Sequence, residues 1–377
     1  MKFSRKFSQI LRMILQEEKD METINQQFPW LELLDRPAFC AKGGTVIAVN
    51  NAAQHHMLQP GTDIRDIVTE QRETYESFES GSLYLTVTVG NIPCSACVTR
   101  TKECDIFILQ QDADSEQLQA LALAAQQLRI PLSNVMTVTD RLLANLENTD
   151  NSTQQQASQI NQGLFQLLRI ISNMSDSGSY KGIPFTGMQT VNLTEVFREI
   201  MEKSQTISEN AGIRLSYTGP QMPVLGLANA EKLERAVYNL LSNALKFAPE
   251  GSTIEAKLTQ KEKLLSFTIC NENTEEIIEP SFFNRYRRTP AIEDSRYGLG
   301  LGMTLVSAVA AAHKGTVLID HPDAKKTRVT MTIALIQGNG ETVRSPIVHM
   351  GDYAGGRDKA LLELAEILPP HFYENIN

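Results

Sequence analysis

Two stretches of this chain carry groups suited to holding a charged phosphate ligand. In YNLLSNALKFAPEG, Asn239 and Asn243 are four residues apart, so one helix face presents both, and Lys246 lies three residues further on the same side. An asparagine carbonyl is a hard oxygen donor suited to Mg2+, and a lysine ammonium suits phosphate. In YGLGLGM, Gly298, Gly300 and Gly302 alternate just before the helical pattern MTLVSAVAAAHKG. Alternate glycines let backbone N–H groups approach phosphate, and the helix N-terminus after them adds favourable partial charge. Asparagine on a helix is ordinarily just solvated, and a glycine loop alone is common, so each stretch needs its context to be read.

A third stretch is notable for what it lacks. AAQQLRIPLSNVM sits inside a long helical pattern with Pro131 in its interior, which costs roughly 3 kcal/mol and asks for a reason. The neighbouring Gln126 has no nucleophilic nitrogen, because the amide lone pair is delocalised, and it neither takes nor gives a proton near neutral pH. A fourth group is NIPCSACVTRTKEC, with Cys94, Cys97 and Cys104. Thiolates at CxxC spacing can bind zinc if a fourth ligand comes close, for which Cys40, His55 and His56 are the candidates. Cysteines on strands that simply fill a core are the alternative, and the one favoured here.

Pattern and composition indicate the scaffold that holds these groups. The chain has 377 residues, 42% of them hydrophobic, with 35 Lys+Arg against 44 Asp+Glu and a net charge of −9. That is the composition of a packed multidomain protein and a poor match to a nucleic-acid binder. Five cysteines do not make a disulfide scaffold, so a reducing cytoplasm is expected. No run approaches the roughly 20 apolar residues that span a bilayer, and no integral membrane segment is expected. Residues 1–25 read as a basic amphipathic helix. Residues 26–111 mix VIAVN, SLYLTVTV and DIFILQQ with polar turns, the pattern of a small α+β domain. Residues 113–178 carry apolar positions 121, 125, 128, 132, 135, 142 and 146, then Ile160, Leu164, Leu167, Ile171 and Met174, a heptad seam on each of two helices joined by a polar connection, ENTDNSTQQQ. Such narrow stripes are best buried by doubling into a four-helix bundle, which predicts a homodimer; packing of the hairpin on the chain's other domains is the alternative. Residues 186–338 alternate helix and strand patterns. Residues 339–377 form a tail whose ALLELAEIL reads as one short amphipathic helix.

On these strings, residues 113–338 resemble the sensor histidine kinases of two-component signalling. LRIPL resembles the end of their H box, YNLLSNALKFAPEG their N box, SFFNRYRR their F box and YGLGLGM their G2 box. PAFCAKGGTVIAVNNAAQHHML resembles the start of a PAS-type sensory domain, in which a strand, a turn and a strand ending in Asn lead into a helix. The resemblance implies a multidomain α+β architecture: PAS-like domain, dimerisation hairpin and α/β-sandwich ATP-binding domain. It implies ATP and Mg2+ as ligands, with Asn239, Asn243, Lys246, Asn271, Gly298, Gly300 and Gly302 at the nucleotide and Asn243 at the metal. It also implies a response regulator or another sensor kinase as partner.

The departures from that pattern define the expectation. Gln126 stands where the family has its phosphoacceptor His, Gln127 at the adjacent acidic position, and Ile130 where partner-dephosphorylating members have Thr. None of the six histidines falls in the hairpin, and His313, in the AHKG turn, reads as structural. In CNENTEEI, Asn271 replaces the G1-box Asp, while Asn273 and Glu275 replace its glycines, and Glu275 and Glu276 would repel polyphosphate if turned inward. An Asn carbonyl still accepts from an adenine amino group, without charge assistance. The chain therefore reads as a pseudokinase with no catalytic residue in its hairpin, binding ATP weakly and signalling by conformation or partner binding. Its rivals are a kinase acting in trans on a histidine of another protein, a non-nucleotide ligand- or metal-sensing PAS scaffold, and an inert scaffold.

Overall fold

The structure, a computed structural model, describes residues 28–34, 36–56, 58–109, 113–144, 151–177, 187–275, 301–336, 354 and 356–374. The amphipathic segment 1–25, SFFNRYRR, Glu276, Gly298 and Gly300 lie outside the described residues. The chain divides into two compact units, 1–112 and 113–377.

In the first unit, β1 (Ala38–Lys42), β2 (Thr45–Val49), β3 (Gly81–Val89), β4 (Ile92–Arg100) and β5 (Asp105–Leu109) form an antiparallel sheet in the order β2-β1-β5-β4-β3. Burial alternates along most of β3, whereas β1 and β5 are each buried at four successive positions, and Phe39 and Phe107 stack across β1 and β5 with ring centroids 4.5 Å apart. Asn50 comes directly after β2 and caps α1 (Asn51–Gln54). Its side chain is almost fully buried, accepts from Ala38 N and Ala53 N at 2.9 Å each, and donates to the Arg36 carbonyl at 2.7 Å. One amide thus ties together the start of β1, the end of β2 and the helix. The helix expected over NNAAQHHML is a single turn, with His55 and His56 in the turn beyond it. Two further short helices, α2 (Ile64–Ile67) and α3 (Arg72–Ser77), lead to β3.

The second unit opens with α4 (Ala113–Ala144) and α5 (Asn151–Ser177). Pro131 lies inside α4, which continues through it. Part of the expected polar connection, from Asn151 onward, is already the first turn of α5. The heptad seam is divided. Ala125 and Leu132 are buried, whereas Leu121, Leu128, Val135 and Leu142, spaced by seven, are exposed. On α5, Leu164 and Ile171 are buried while Ile160 and Leu167 are exposed. Each helix therefore covers half of its stripe within the unit.

Next come β6 (Gln189–Asn192), α6 (Leu193–Asn210), β7 (Arg214–Thr218), β8 (Leu225–Ala228), α7 (Ala230–Phe247), β9 (Thr253–Lys261), β10 (Leu264–Glu272), α8 (Leu301–Ala312), β11 (Val317–Asp323) and β12 (Lys326–Ala334). Within this unit the strands run β11-β12-β10-β9-β7, antiparallel except for the parallel β7–β9 pair, with β6 and β8 paired separately. Helices α6, α7 and α8 lay their apolar faces on this sheet, giving an α/β sandwich with Phe197 and Phe267 packed ring to ring at its centre. The tail contributes α9 (Lys359–Glu363) and a 3-10 turn at Pro370–Tyr373. The helix expected over ALLELAEIL ends at Glu363, and residues 364–367 form turns instead.

Candidate nucleotide site

The site is built on α7 and the end of β10. Helix α7 starts where the Asn229 side chain accepts from Lys232 N at 3.0 Å, an N-cap that satisfies a backbone donor at the open end of the helix. At its far end the Phe247 carbonyl accepts from both N and Oγ1 of Thr274, at 3.1 and 3.2 Å. The strand end that carries Asn271 is thereby fastened to the helix end that carries Lys246.

Asn271 is nearly buried, and its Nδ2 donates to the Glu272 carbonyl at 2.8 Å and to Asn273 Oδ1 at 3.1 Å. With the amide nitrogen engaged, its carbonyl is the group that can accept from a ligand amine. Asn273 holds the strand end against the β11–β12 hairpin, donating from Nδ2 to the Lys325 carbonyl at 3.2 Å and to Thr327 Oγ1 at 3.0 Å. A residue that stands in for a glycine has become a fastening. Glu275 is exposed.

Asn239 is packed between two helices. It is 2% exposed, its Nδ2 donates to the Arg235 carbonyl at 2.9 Å, and its Oδ1 abuts Gly302, where an added Cβ would lie only 2.8 Å away. Asn239 thus pins α7 to α8, and Gly302 is small because that oxygen occupies the space. Asn243, one turn on, is half-buried on the same side. Lys246 is in the last turn, its Nζ 3.5 Å from Glu366 Oε2 of the tail. The structure therefore gathers Asn239, Asn243 and Lys246 along α7, brings Gly302 of α8 against Asn239, and joins Asn271 through Thr274.

A buried charge cluster beside this site was not apparent from the sequence. Arg235 of α7 and Glu363 of α9, each 1% exposed, pair Nε to Oε1 at 3.3 Å. Arg169 of α5 reaches Glu363 Oε2 at 3.4 Å and Glu366 Oε2 at 3.2 Å. Arg235 also pairs with Asp176 and donates to Asn173 Oδ1 at 2.9 Å. The one available signal was a pair of carboxylates three apart inside the apolar ALLELAEIL.

The remaining candidates are dispersed. Gln126 and Gln127 lie on the exposed side of α4, as does Ile130. Cys94 and Cys97 are both on β4, and an odd spacing on a strand sends two side chains to opposite faces. Cys40 and Cys104 are buried against each other, and their hydrogen bond, with burial, pushes the Cys40 thiol well above its usual range. Among the described residues no three His, Cys, Asp or Glu side chains form a metal-binding group. His313 is buried in the turn after α8, and desolvation holds its imidazole below the usual histidine value.

Comparison with known proteins places this arrangement. Residues 228–337 match the family described as histidine kinase-, DNA gyrase B-, and HSP90-like ATPase. The chain is 28% identical over 229 residues to the sensor histidine kinase CusS of Escherichia coli K12, covering 59% of this chain and 46% of that one. It is 31% identical over 198 residues to the sensor protein KdpD of Clostridium acetobutylicum, covering 50% of this chain and 21% of the relative. The crystal structure of full-length ShkA in complex with AMPPNP is similar at 16% identity and a TM-score of 0.44, over 58% of this chain and 46% of that one. The chain thus spans about half the length of CusS and less of KdpD. Residues 228–337 thus form a domain of the histidine kinase-, DNA gyrase B-, and HSP90-like ATPase family, and the longer matches make the chain similar to sensor histidine kinases.

Proposed function

We propose that this protein is a pseudokinase of two-component signalling, which binds ATP with Mg2+ and signals through conformation or partner binding. The observation that carries the reading is Gln126, exposed on an intact hairpin helix five residues before Pro131, where the family resemblance puts its phosphoacceptor. An amide there cannot attack a phosphorus atom or accept the proton such an attack releases.

The residues present fit a nucleotide. Asn271 would accept from the adenine amino group, Lys246 would face the polyphosphate, and Asn243 would offer a carbonyl to Mg2+, which neutralises phosphate charge when bound. Asn239 holds α7 against α8 and acts on the site through that packing. No helix among the described residues is long and apolar enough to cross a membrane.

The divided heptad seam supports a homodimer. Leu128, Val135, Leu142, Ile160 and Leu167 form a stripe of large apolar side chains, each at least half exposed, and a second copy would cover it as a four-helix bundle. The strand, Gly43–Gly44 turn and strand leading through Asn50 into α1 support a PAS-like first unit. A response regulator or another sensor kinase is the partner class this reading expects.

The test is incubation of the purified chain with γ-labelled ATP and Mg2+, beside a nucleotide titration. The expected result is saturable binding with no acid-labile label on the chain. Label on the hairpin overturns the pseudokinase reading, and label on a histidine of an added partner replaces it with a kinase acting in trans.

A further inference from the structure

The tail braces two parts of the second unit that also meet directly, Asp176 of α5 pairing with Lys232 and Arg235 of α7 and Arg169 donating to Ser242 Oγ at 2.9 Å. On the hairpin side, Gln162 and Gln166 of α5 donate to the Leu368 and Ala365 carbonyls at 2.6 and 3.0 Å, and Tyr373, fully buried, packs edge-on against Phe165. On the ATPase-type side, Lys359 pairs with Glu234 at 2.7 Å. Between the two, Glu363 is shared by Arg169 of α5 and Arg235 of α7. Without that carboxylate each buried guanidinium would keep one partner, Glu366 for Arg169 and Asp176 for Arg235, and the one group that ties the two helices together would be gone, which is unfavourable. Glu366 reaches further, between Arg169 and Lys246.

We propose that residues 356–374 form an internal strap that seats the hairpin on the ATPase-type domain and, by holding the Glu366 carboxylate on Lys246, sets the nucleotide affinity of the adjacent site. The second half of this inference rests on the nucleotide reading above. A polyphosphate that takes Lys246 must displace Glu366 or bear its repulsion. Loosening the strap and loading the site are then linked, and by reciprocity nucleotide weakens the strap by the factor by which the strap weakens nucleotide.

The experiment uses the full-length chain. Glu366→Gln should tighten Mg·ATP binding by about fivefold, the low end of ordinary coupling between sites, and the gain should vanish in a Lys246→Gln background. Equal affinity of wild type and Glu366→Gln overturns the gate and leaves the nucleotide reading standing. No binding by either protein overturns both. The seating is read separately by amide hydrogen exchange. Glu363→Gln should speed exchange in 151–177 and 230–247 together by about tenfold or more, since it removes the buried carboxylate that Arg169 and Arg235 share. Gln162→Ala is the milder variant if Glu363→Gln does not fold, and should move the same two segments in the same direction. Wild-type protection of both helices in a folded variant overturns the strap.

Discussion

The backbone N–H of Asn229 donates to Nε2 of His313 at 3.1 Å, and Nδ1 of the same ring lies 2.7 Å from the Val309 carbonyl. A carbonyl can only accept, so Nδ1 carries the hydrogen and Nε2 the lone pair. The ring is neutral and satisfied on both sides, and it fastens the turn after α8 to the residue that caps α7. Protonation would aim a new N–H at the Asn229 N–H.

That arrangement sets a pH dependence. Burial lowers the folded-state value of His313 below its ordinary 6.5, so the unfolded chain binds more protons in the window beneath it. The contribution is complete above about pH 6.5 and is lost as pH falls through the folded-state value. Urea unfolding at pH 7.5, 6.5 and 5.5 should show wild type losing more stability on acidification than His313→Gln. At neutral pH the variant should be about 1–3 kcal/mol less stable, the cost of leaving a buried polar group without its partner.

Gly302 and Asn239 should be energetically coupled. Gly302→Ala places a methyl group 2.8 Å from Asn239 Oδ1 and should cost about 1–3 kcal/mol by overpacking. In an Asn239→Ala background the added methyl has room, so the second substitution should cost clearly less than in wild type. Denaturant midpoints of the four proteins measure the coupling, and additive costs would contradict the pin.

Glu363→Ala should destabilise the second unit by about 3–5 kcal/mol, because it removes the shared partner of Arg169 and Arg235. By comparison, Glu195→Ala removes a part-exposed partner of the exposed Arg198 on α6 and should leave stability close to that of wild type. Thermal melts of the two variants beside wild type give the contrast.

The exposed stripe yields a solution test. Leu128→Glu with Leu167→Glu places charge at the centre of the apolar face while leaving the buried Leu132 and Leu164 untouched. Sedimentation should show a dimer for wild type and a monomer for the double variant, with helical circular dichroism preserved. A dimer that survives both charges would mean that this face is not the interface.

Much of the architecture was legible because it depends on local rules. The strands over 253–261 and 264–272 come from alternation of apolar and polar residues, and the helix over 230–247 from the spacing of its leucines. The asparagine caps at 50, 192 and 229 rest on equally short-range geometry, one side chain reaching nearby backbone donors, though it is the structure that identifies them. The resemblance to sensor histidine kinases was legible from motif strings. The absence of a nucleophile at position 126 was legible too, since amide chemistry does not depend on surroundings.

What lay beyond the sequence is of another kind. A four-residue spacing puts Asn239 and Asn243 on one helix face but does not say how deeply each is buried. Only the approach of Gly302 made the first a packing pin, while the second is half-buried one turn on. The heptad stripe was visible as one seam, yet its division into covered and exposed halves needed the position of the second helix. Arg235 and Glu363 are 128 residues apart, and no periodicity links them. Local spacing determines which way neighbouring side chains point, because bond geometry fixes it. Which distant group they meet is decided by packing of the whole unit, where burying a charge is tolerable only beside its opposite.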